Sequence, residues 1–147
     1  MSIKEQIEKD FINAYKNREK SVDLFKMLKS AIKNAEIEKR KTLSDEEIIA
    51  VLQKEKKQRE DSIIEFEKGN RPDLVAKEKS EIEIINKYLP KQLNELEIKA
   101  IVSKTIKEVG ALSMSDFPKV MGKIMPQIKG RAEGSQVAEI VKKQLNQ

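Results

Sequence analysis

Apolar residues recur every three to four positions through most of the chain, which is the spacing of one face of an α-helix. From about Ser2 to Tyr15 they fall on one such face, and from about Ser21 to Lys39 the same spacing returns. No segment shows the apolar–polar alternation of a β-strand, and no internal repeat is present. The pattern therefore predicts an all-α protein of seven helices.

Polar and special residues between the apolar segments predict where helices begin and end. Ser44 and Glu47 form a capping box that starts the third helix. This helix meets ten residues without an apolar side chain, 53–62, and we expect i,i+4 pairs of opposite charge to carry it through. Gly69-Asn70 ends the helix, and Pro72 lies in the first turn of the fourth.

The segment from Tyr88 to Leu93 is the predicted domain boundary. Pro90 disfavours the α conformation in the residue before it, so the fourth helix should end there. We therefore expect an N-terminal domain over residues 1–93, with about four antiparallel helices. A small three-helix bundle should follow over residues 94–147.

Three helices are expected in the C-terminal piece. The fifth ends at Gly110, the sixth starts near Ser115-Asp116, and the seventh follows Gly134-Ser135. Pro126 lies inside the apolar pattern of the sixth helix. Because proline lacks an N–H and crowds the carbonyl four residues earlier, it predicts a kink or a helix end near Met125.

The composition excludes several classes of chemistry. Among 147 residues there is no Cys and no His, so disulfides, thiolate metal sites and catalytic triads of the Ser-His-Asp or Cys-His type are impossible. No phosphate-binding loop or dinucleotide fingerprint occurs. The acids at 45–47 are explained by their place in a helix's first turn. We therefore predict no catalytic residue, no metal and no cofactor.

Charge and hydropathy set the expected partners and location. The net charge is +5, and residues 94–147 carry nine basic and six acidic side chains. This permits an anionic partner without requiring one. The first residues lack the apolar core of a signal peptide, and no apolar run approaches the ~20 residues that cross a bilayer. The prediction is a cytoplasmic protein without membrane association.

The stretch from Lys129 to Ser135 is the most informative candidate site. Two cations flank Gly130, a second glycine follows at 134, and a helix N-terminus comes next. Such a turn can cradle phosphate, or it can be an ordinary helix-ending glycine with a solvated turn. Lys119 and Lys123, spaced i,i+4, would extend the positive surface. Because small basic turns are common, spacing alone favours the ordinary turn.

A second basic cluster lies on the second helix. Lys26, Lys29 and Lys33 share one helical face, and 39–41 adds three more cations. The stripe has the spacing to follow a nucleic-acid backbone. Because Glu36 dilutes it, a solvated helix face is the favoured interpretation.

Several stretches of the chain resemble a known family. The segments 28–36, 66–74 and 88–93 resemble signature stretches of the YqeY-like proteins, and 121–125, 129–132 and 137–141 resemble the GatB/YqeY tail domain of the tRNA amidotransferases. In those enzymes the tail is a helical appendage that contacts tRNA, whereas the chemistry lies in other domains. The resemblance implies RNA contact without catalysis.

The resemblance leads to three hypotheses. The first is a non-catalytic accessory protein that binds tRNA or aminoacyl-tRNA, with an amidotransferase or another translation protein as a possible partner. Its candidate RNA-binding residues are Lys119, Gly122, Lys123, Lys129, Gly130, Arg131 and Gly134. The second is a protein-interaction module that uses the charge-rich third and fourth helices. The third is a carbon–nitrogen ligase that takes glutamine as amido donor. The sequence does not fix the oligomeric state.

Overall fold

The chain folds into seven α-helices in a computed structural model that describes residues 1–146. They are α1 (Ile3–Lys16), α2 (Val22–Lys39), α3 (Asp45–Lys68), α4 (Pro72–Asn86), α5 (Glu95–Val109), α6 (Phe117–Ile128) and α7 (Gly134–Leu145). A 3-10 turn, Met114–Asp116, precedes α6. No strand occurs in the described range. The predicted all-α class and the seven helices are confirmed.

The chain divides into two compact units, Met1–Leu89 and Pro90–Gln147, each with its own apolar core. The predicted boundary after residue 93 is compatible with this division. The segment 90–93 is tied to the second unit by hydrogen bonds. The N–H of Leu93 donates to the Arg131 carbonyl at 2.8 Å, and Nε2 of Gln92 donates to the Gly130 carbonyl at the same distance.

In the first unit the polar part of α3 is held by a buried arginine. The guanidinium of Arg59 donates to a carboxylate oxygen of Glu55 at 2.9 Å, and its Nε lies 3.6 Å from Glu81 on α4. Only 5% of Arg59 is exposed. The Glu55–Arg59 contact is an i,i+4 pair of opposite charge, as expected for the part of α3 that lacks apolar side chains.

In the second unit α6 passes through Pro126 and ends at Ile128, so of the two expected outcomes, a kink or an end near Met125, the helix end is wrong. The proline removes one backbone hydrogen bond to Gly122. Ile124 and Ile128 are nonetheless buried on the opposite side of the helix, whereas Pro126 is exposed. Core contacts on both sides of the proline therefore hold the last turn in place.

The capping box at the start of α3 has a measurable pH signature. The N–H of Ser44 donates to Glu47 at 3.1 Å, and the amines of Lys39 and Lys41 each lie 3.1 Å from the same carboxylate. The Ser44 N–H first, and then the two lysines, lower the pKa of Glu47 from 4.5 to about 2. The ionised carboxylate therefore stabilises the folded state.

We expect Glu47→Gln to lower the midpoint of thermal unfolding at neutral pH. A lowered folded pKa gives a contribution that is complete above pH 4.5 and is lost as the pH falls towards about 2. The difference in unfolding midpoint between the native chain and Glu47→Gln should therefore shrink as the pH falls from 4.5 towards about 2. Thermal unfolding followed by circular dichroism measures it. Glu46→Gln is the matched control, because it removes one charge from the same first turn and leaves the capping box intact. A gap that is independent of pH would contradict this account.

Candidate nucleic-acid interface

Two exposed lysines on α6 and a half-buried arginine beyond its end lie along one side of the helix. Lys119 and Lys123 are one helical turn apart, and both are exposed. Beyond the helix end, a guanidinium nitrogen of Arg131 donates to the Gln127 carbonyl, one turn further along the same face, in a long hydrogen bond of 3.5 Å. We call Lys119, Lys123 and Arg131 the basic stripe. The structure therefore places these three predicted residues on one side of α6 and of the turn that follows it.

The two lysines of the stripe are positioned by α5. The amine of Lys123 lies 3.0 Å from the carboxylate of Glu108, and the amine of Lys119 donates to the Val109 carbonyl at 3.3 Å. A cation beside the last carbonyls of a helix interacts favourably with its dipole. These contacts hold both amines on the outer surface, and they mean that an arriving phosphate must compete with Glu108.

Gly122 leaves the surface beside the two lysines flat. A Cβ built at this position has nothing within 4 Å, so no neighbour in the fold requires the absence of a side chain. Glycine inside a helix is unfavourable relative to alanine. The fold itself therefore gives no reason for glycine at this exposed position of α6.

The turn after α6 is shaped by Gly130, which is buried and has φ +78°. The N–H groups of Arg131 and Ala132 both donate to the Ile128 carbonyl, at 2.8 and 3.2 Å. These two amides are therefore occupied within the turn. Gly130 acts as a helix-ending glycine, and the positive surface comes from side chains rather than from a cradle of free amides.

The start of α7 has a mixed electrostatic character. Glu133 is the N-cap residue, its side chain does not cap the helix, and the Ser135 hydroxyl donates to its carboxylate. An acid at this helix N-terminus competes with any bound anion. A Cβ on Gly134 would meet Met125 at 3.6 Å, an ordinary contact, so this glycine is not sterically required.

A further acid lies at the start of α6. The N–H of Leu112 donates to the Asp116 carboxylate at 2.9 Å and, as the main cause, lowers its pKa. Asp116 therefore stays ionised at neutral pH, three residues before Lys119. Acidic side chains therefore lie near both ends of the stripe, Asp116 before Lys119 and Glu133 after Arg131, and Glu108 pairs with Lys123 between them.

Sequence reasoning missed two participants in this surface. Gln127 follows Lys123 by four residues, so its place on the same face was available from helical spacing. Glu108 belongs to another helix, and no local signal links it to Lys123.

Within residues 1–146 no group of three or more His, Cys, Asp or Glu side chains is arranged to hold a metal ion. Over the same range no helix has both the length and the apolar character needed to span a bilayer.

The chain matches the family profile described as "Yqey-like protein" over residues 4–145. It is 43% identical over 107 residues to "Altered inheritance of mitochondria protein 41, mitochondrial" of Lachancea thermotolerans, covering 67% of this chain and 57% of the relative. The protein of the same name from Pyrenophora tritici-repentis is 29% identical over 137 residues, covering 89% of this chain and 74% of the relative. A glutamyl-tRNA(Gln) amidotransferase subunit of Sulfurisphaera tokodaii is 40% identical over 67 residues, which are 43% of this chain and 10% of that protein.

These relatives overturn the predicted location. Several curated relatives are named as mitochondrial, so the cytoplasmic prediction is contradicted. The match to the Lachancea protein spans little more than half of that relative's length. The prediction rested on the lack of a secretory segment and of a membrane span. Mitochondrial targeting uses neither, because its transit peptides are amphipathic and basic.

Proposed function

Because this chain belongs to the Yqey-like protein family, we propose that it is a non-catalytic accessory protein that binds tRNA through the C-terminal unit. The observation that carries the proposal is the basic stripe, with Lys129 beside it and Gly122 within it. Lysine and arginine side chains contact phosphates and supply most of the affinity of a protein for nucleic acid. A row of cations on one exposed helix face suits a polyanionic backbone.

The relationship to an amidotransferase subunit supports tRNA as the RNA class. The name of that relative refers to glutamyl-tRNA, and the similar segment is only 10% of its length. The similarity therefore concerns a small part of that protein. Nothing in this proposal assigns amidation chemistry to the chain.

The composition supports recognition of structured RNA. The whole chain has no Trp and only six Phe or Tyr, and the stripe itself contains no aromatic side chain. Proteins that bind single strands commonly stack bases on aromatic rings. Without such rings, contact with the phosphates and 2′-hydroxyls of helical RNA is the mode that the surface fits.

We expect the double variant Lys129→Ala and Arg131→Ala to bind tRNA roughly 10- to 100-fold more weakly near 0.1 M salt, because two phosphate contacts are lost. The slope of log affinity against log salt should become shallower by about 2. Filter binding or fluorescence anisotropy with deacylated and aminoacylated tRNA measures both quantities. Circular dichroism should show unchanged helix content.

The matched control is Lys99→Ala with Lys143→Ala, which removes the same charge from the same unit. Lys99 pairs with Glu95 on α5 at 3.3 Å, and Lys143 lies near the end of α7, so neither belongs to the stripe. This variant should retain near-native affinity. Equal losses in both variants would show that net charge, and not the stripe, governs binding. No binding of either tRNA by the native protein at low salt would exclude the proposed function.

A further inference from the structure

The N-terminal unit contains a groove of about 650 Å³ between α1 and α2. The two helices are antiparallel, because Lys4 pairs with Glu36 and Glu8 pairs with Lys29. This volume falls within the range of established binding sites. The groove lies outside the C-terminal unit, so its use is independent of the proposed RNA contact.

The groove has an apolar floor. Ile7 and Ile32 lie at its base and are buried, and Phe11 is half-buried on the wall. The amine of Lys29 sits 4.3 Å from the centre of the Phe11 ring, a cation–π contact that fixes both side chains. An apolar floor gives affinity to carbon-rich side chains and offers nothing to a phosphate.

The rim of the groove carries a surplus of positive charge. Its two acids are already paired, Glu36 with Lys4 at 2.9 Å and Glu8 with Lys29 at 2.7 Å. Lys26 and Lys33 are exposed on the same face of α2, and among the residues that the structure describes neither amine has an ion-pair partner. Two uncompensated cations therefore stand above an apolar floor.

We propose that this groove binds an acidic amphipathic helix of a partner protein. Lys26 and Lys33 are seven residues apart, which is about 10.5 Å along a helix. Two carboxylates seven residues apart on a partner helix have the same separation. The two apolar residues between them, at the third and fourth positions, would then face the half-buried Phe11 on the wall of the groove. RNA fits less well, because its phosphates could pair with the two lysines but would gain nothing from the apolar side chains of the groove.

The test uses a synthetic, end-blocked helical peptide that carries fluorescein, two Glu seven residues apart, and two Leu at the third and fourth positions after the first Glu. Anisotropy titration with the full chain should show saturable binding. A peptide of the same composition in scrambled order should bind much more weakly. K26E/K33E should weaken binding by an order of magnitude or more, since two attractive contacts become repulsive.

The matched control is K9E/K16E. Lys9 and Lys16 are also exposed and seven residues apart, but they lie on the side of α1 away from the groove. This variant should bind the peptide within about twofold of native, as expected for charges outside a contact. If both variants lost the same peptide affinity, net charge alone would account for binding, and the proposal would be overturned.

Two further results would also overturn it. If the peptide does not bind and K26E/K33E weakens tRNA binding, the groove is an RNA surface. If the peptide does not bind and the native chain self-associates in sedimentation while K26E/K33E does not, the occupant is a second copy of the chain. Because the peptide assay contains no RNA, its failure leaves the proposed function of the C-terminal unit unaffected.

Discussion

Arg59→Ala should lower the free energy of unfolding by about 3 kcal/mol, the scale found when one partner of a buried ion pair is removed. Arg59 is 5% exposed, and it neutralises Glu55 at 2.9 Å and Glu81 at 3.6 Å. Its Nε and one oxygen of Glu81 already lack a hydrogen-bond partner. Because the pair is imperfectly hydrogen-bonded, we expect a loss at the lower end of the ~3–5 kcal/mol found when one partner of a buried ion pair is removed. Urea unfolding followed by circular dichroism measures the loss.

Arg71→Ala is the matched control. Arg71 also pairs with a carboxylate, Asp73 at 3.1 Å, but 56% of its side chain is exposed. Exposed ion pairs contribute little, because water solvates both charges and screens the pair. The two variants remove the same functional group in different surroundings. Similar losses would show that burial does not set the strength of the Arg59 contacts.

The Arg59 variant should also respond to pH in a defined direction. Burial, and next the charge of Glu81, raise the pKa of Glu78, while Arg59 opposes the rise. A carboxyl with a raised folded pKa destabilises the fold when ionised, and the penalty disappears as the pH falls through that pKa. Without Arg59 the penalty grows, so the deficit should be largest at neutral pH and should shrink towards about pH 4. A deficit that grows on acidification would contradict this mechanism.

Gly130→Ala and Gly122→Ala should have effects of opposite sign on stability. Gly130 is buried at φ +78°, where a side chain costs roughly 1–2 kcal/mol from the backbone alone. Any rearrangement there also threatens the hydrogen bond from Gln92. Gly122 is exposed inside α6 with open space around it, so alanine should stabilise the helix by about 0.5–1 kcal/mol.

Urea unfolding of both variants against the native chain measures this difference. The pair serves as its own control, because each substitution adds one methyl group to a predicted site glycine. Gly122→Ala also tests the flat surface, since it should weaken tRNA binding while raising stability. Stabilisation by alanine at 130 would show that the turn does not require its left-handed backbone.

Much of the fold followed from local signals. The spacing of apolar residues predicted the seven helices, and the capping residue Ser44 marked a helix start that the structure confirms. The continuation of α3 through residues 53–62 was also correctly predicted. These features depend on neighbours within a few positions, so a single sequence contains the information.

The site was less predictable. Helical spacing placed Lys119 and Lys123 on one face, but it left a kink and a helix end at Pro126 as alternatives. The burial of Ile128 is what keeps α6 helical beyond the proline. The sequence also did not show that the N–H groups of Arg131 and Ala132 donate to the Ile128 carbonyl. Both outcomes depend on packing and on exact backbone geometry, which spacing does not specify.

By itself, the sequence determined the helical class, the absence of cysteine and histidine chemistry, and the family resemblance that the profile match confirms. Only the tertiary structure decided that Glu108 pairs with Lys123, that Arg59 is buried between α3 and α4, and that Lys26 and Lys33 stand unpaired above an apolar groove. Helix formation depends on residues three and four positions apart. Which charges are paired, buried or open depends on residues that only the fold brings together.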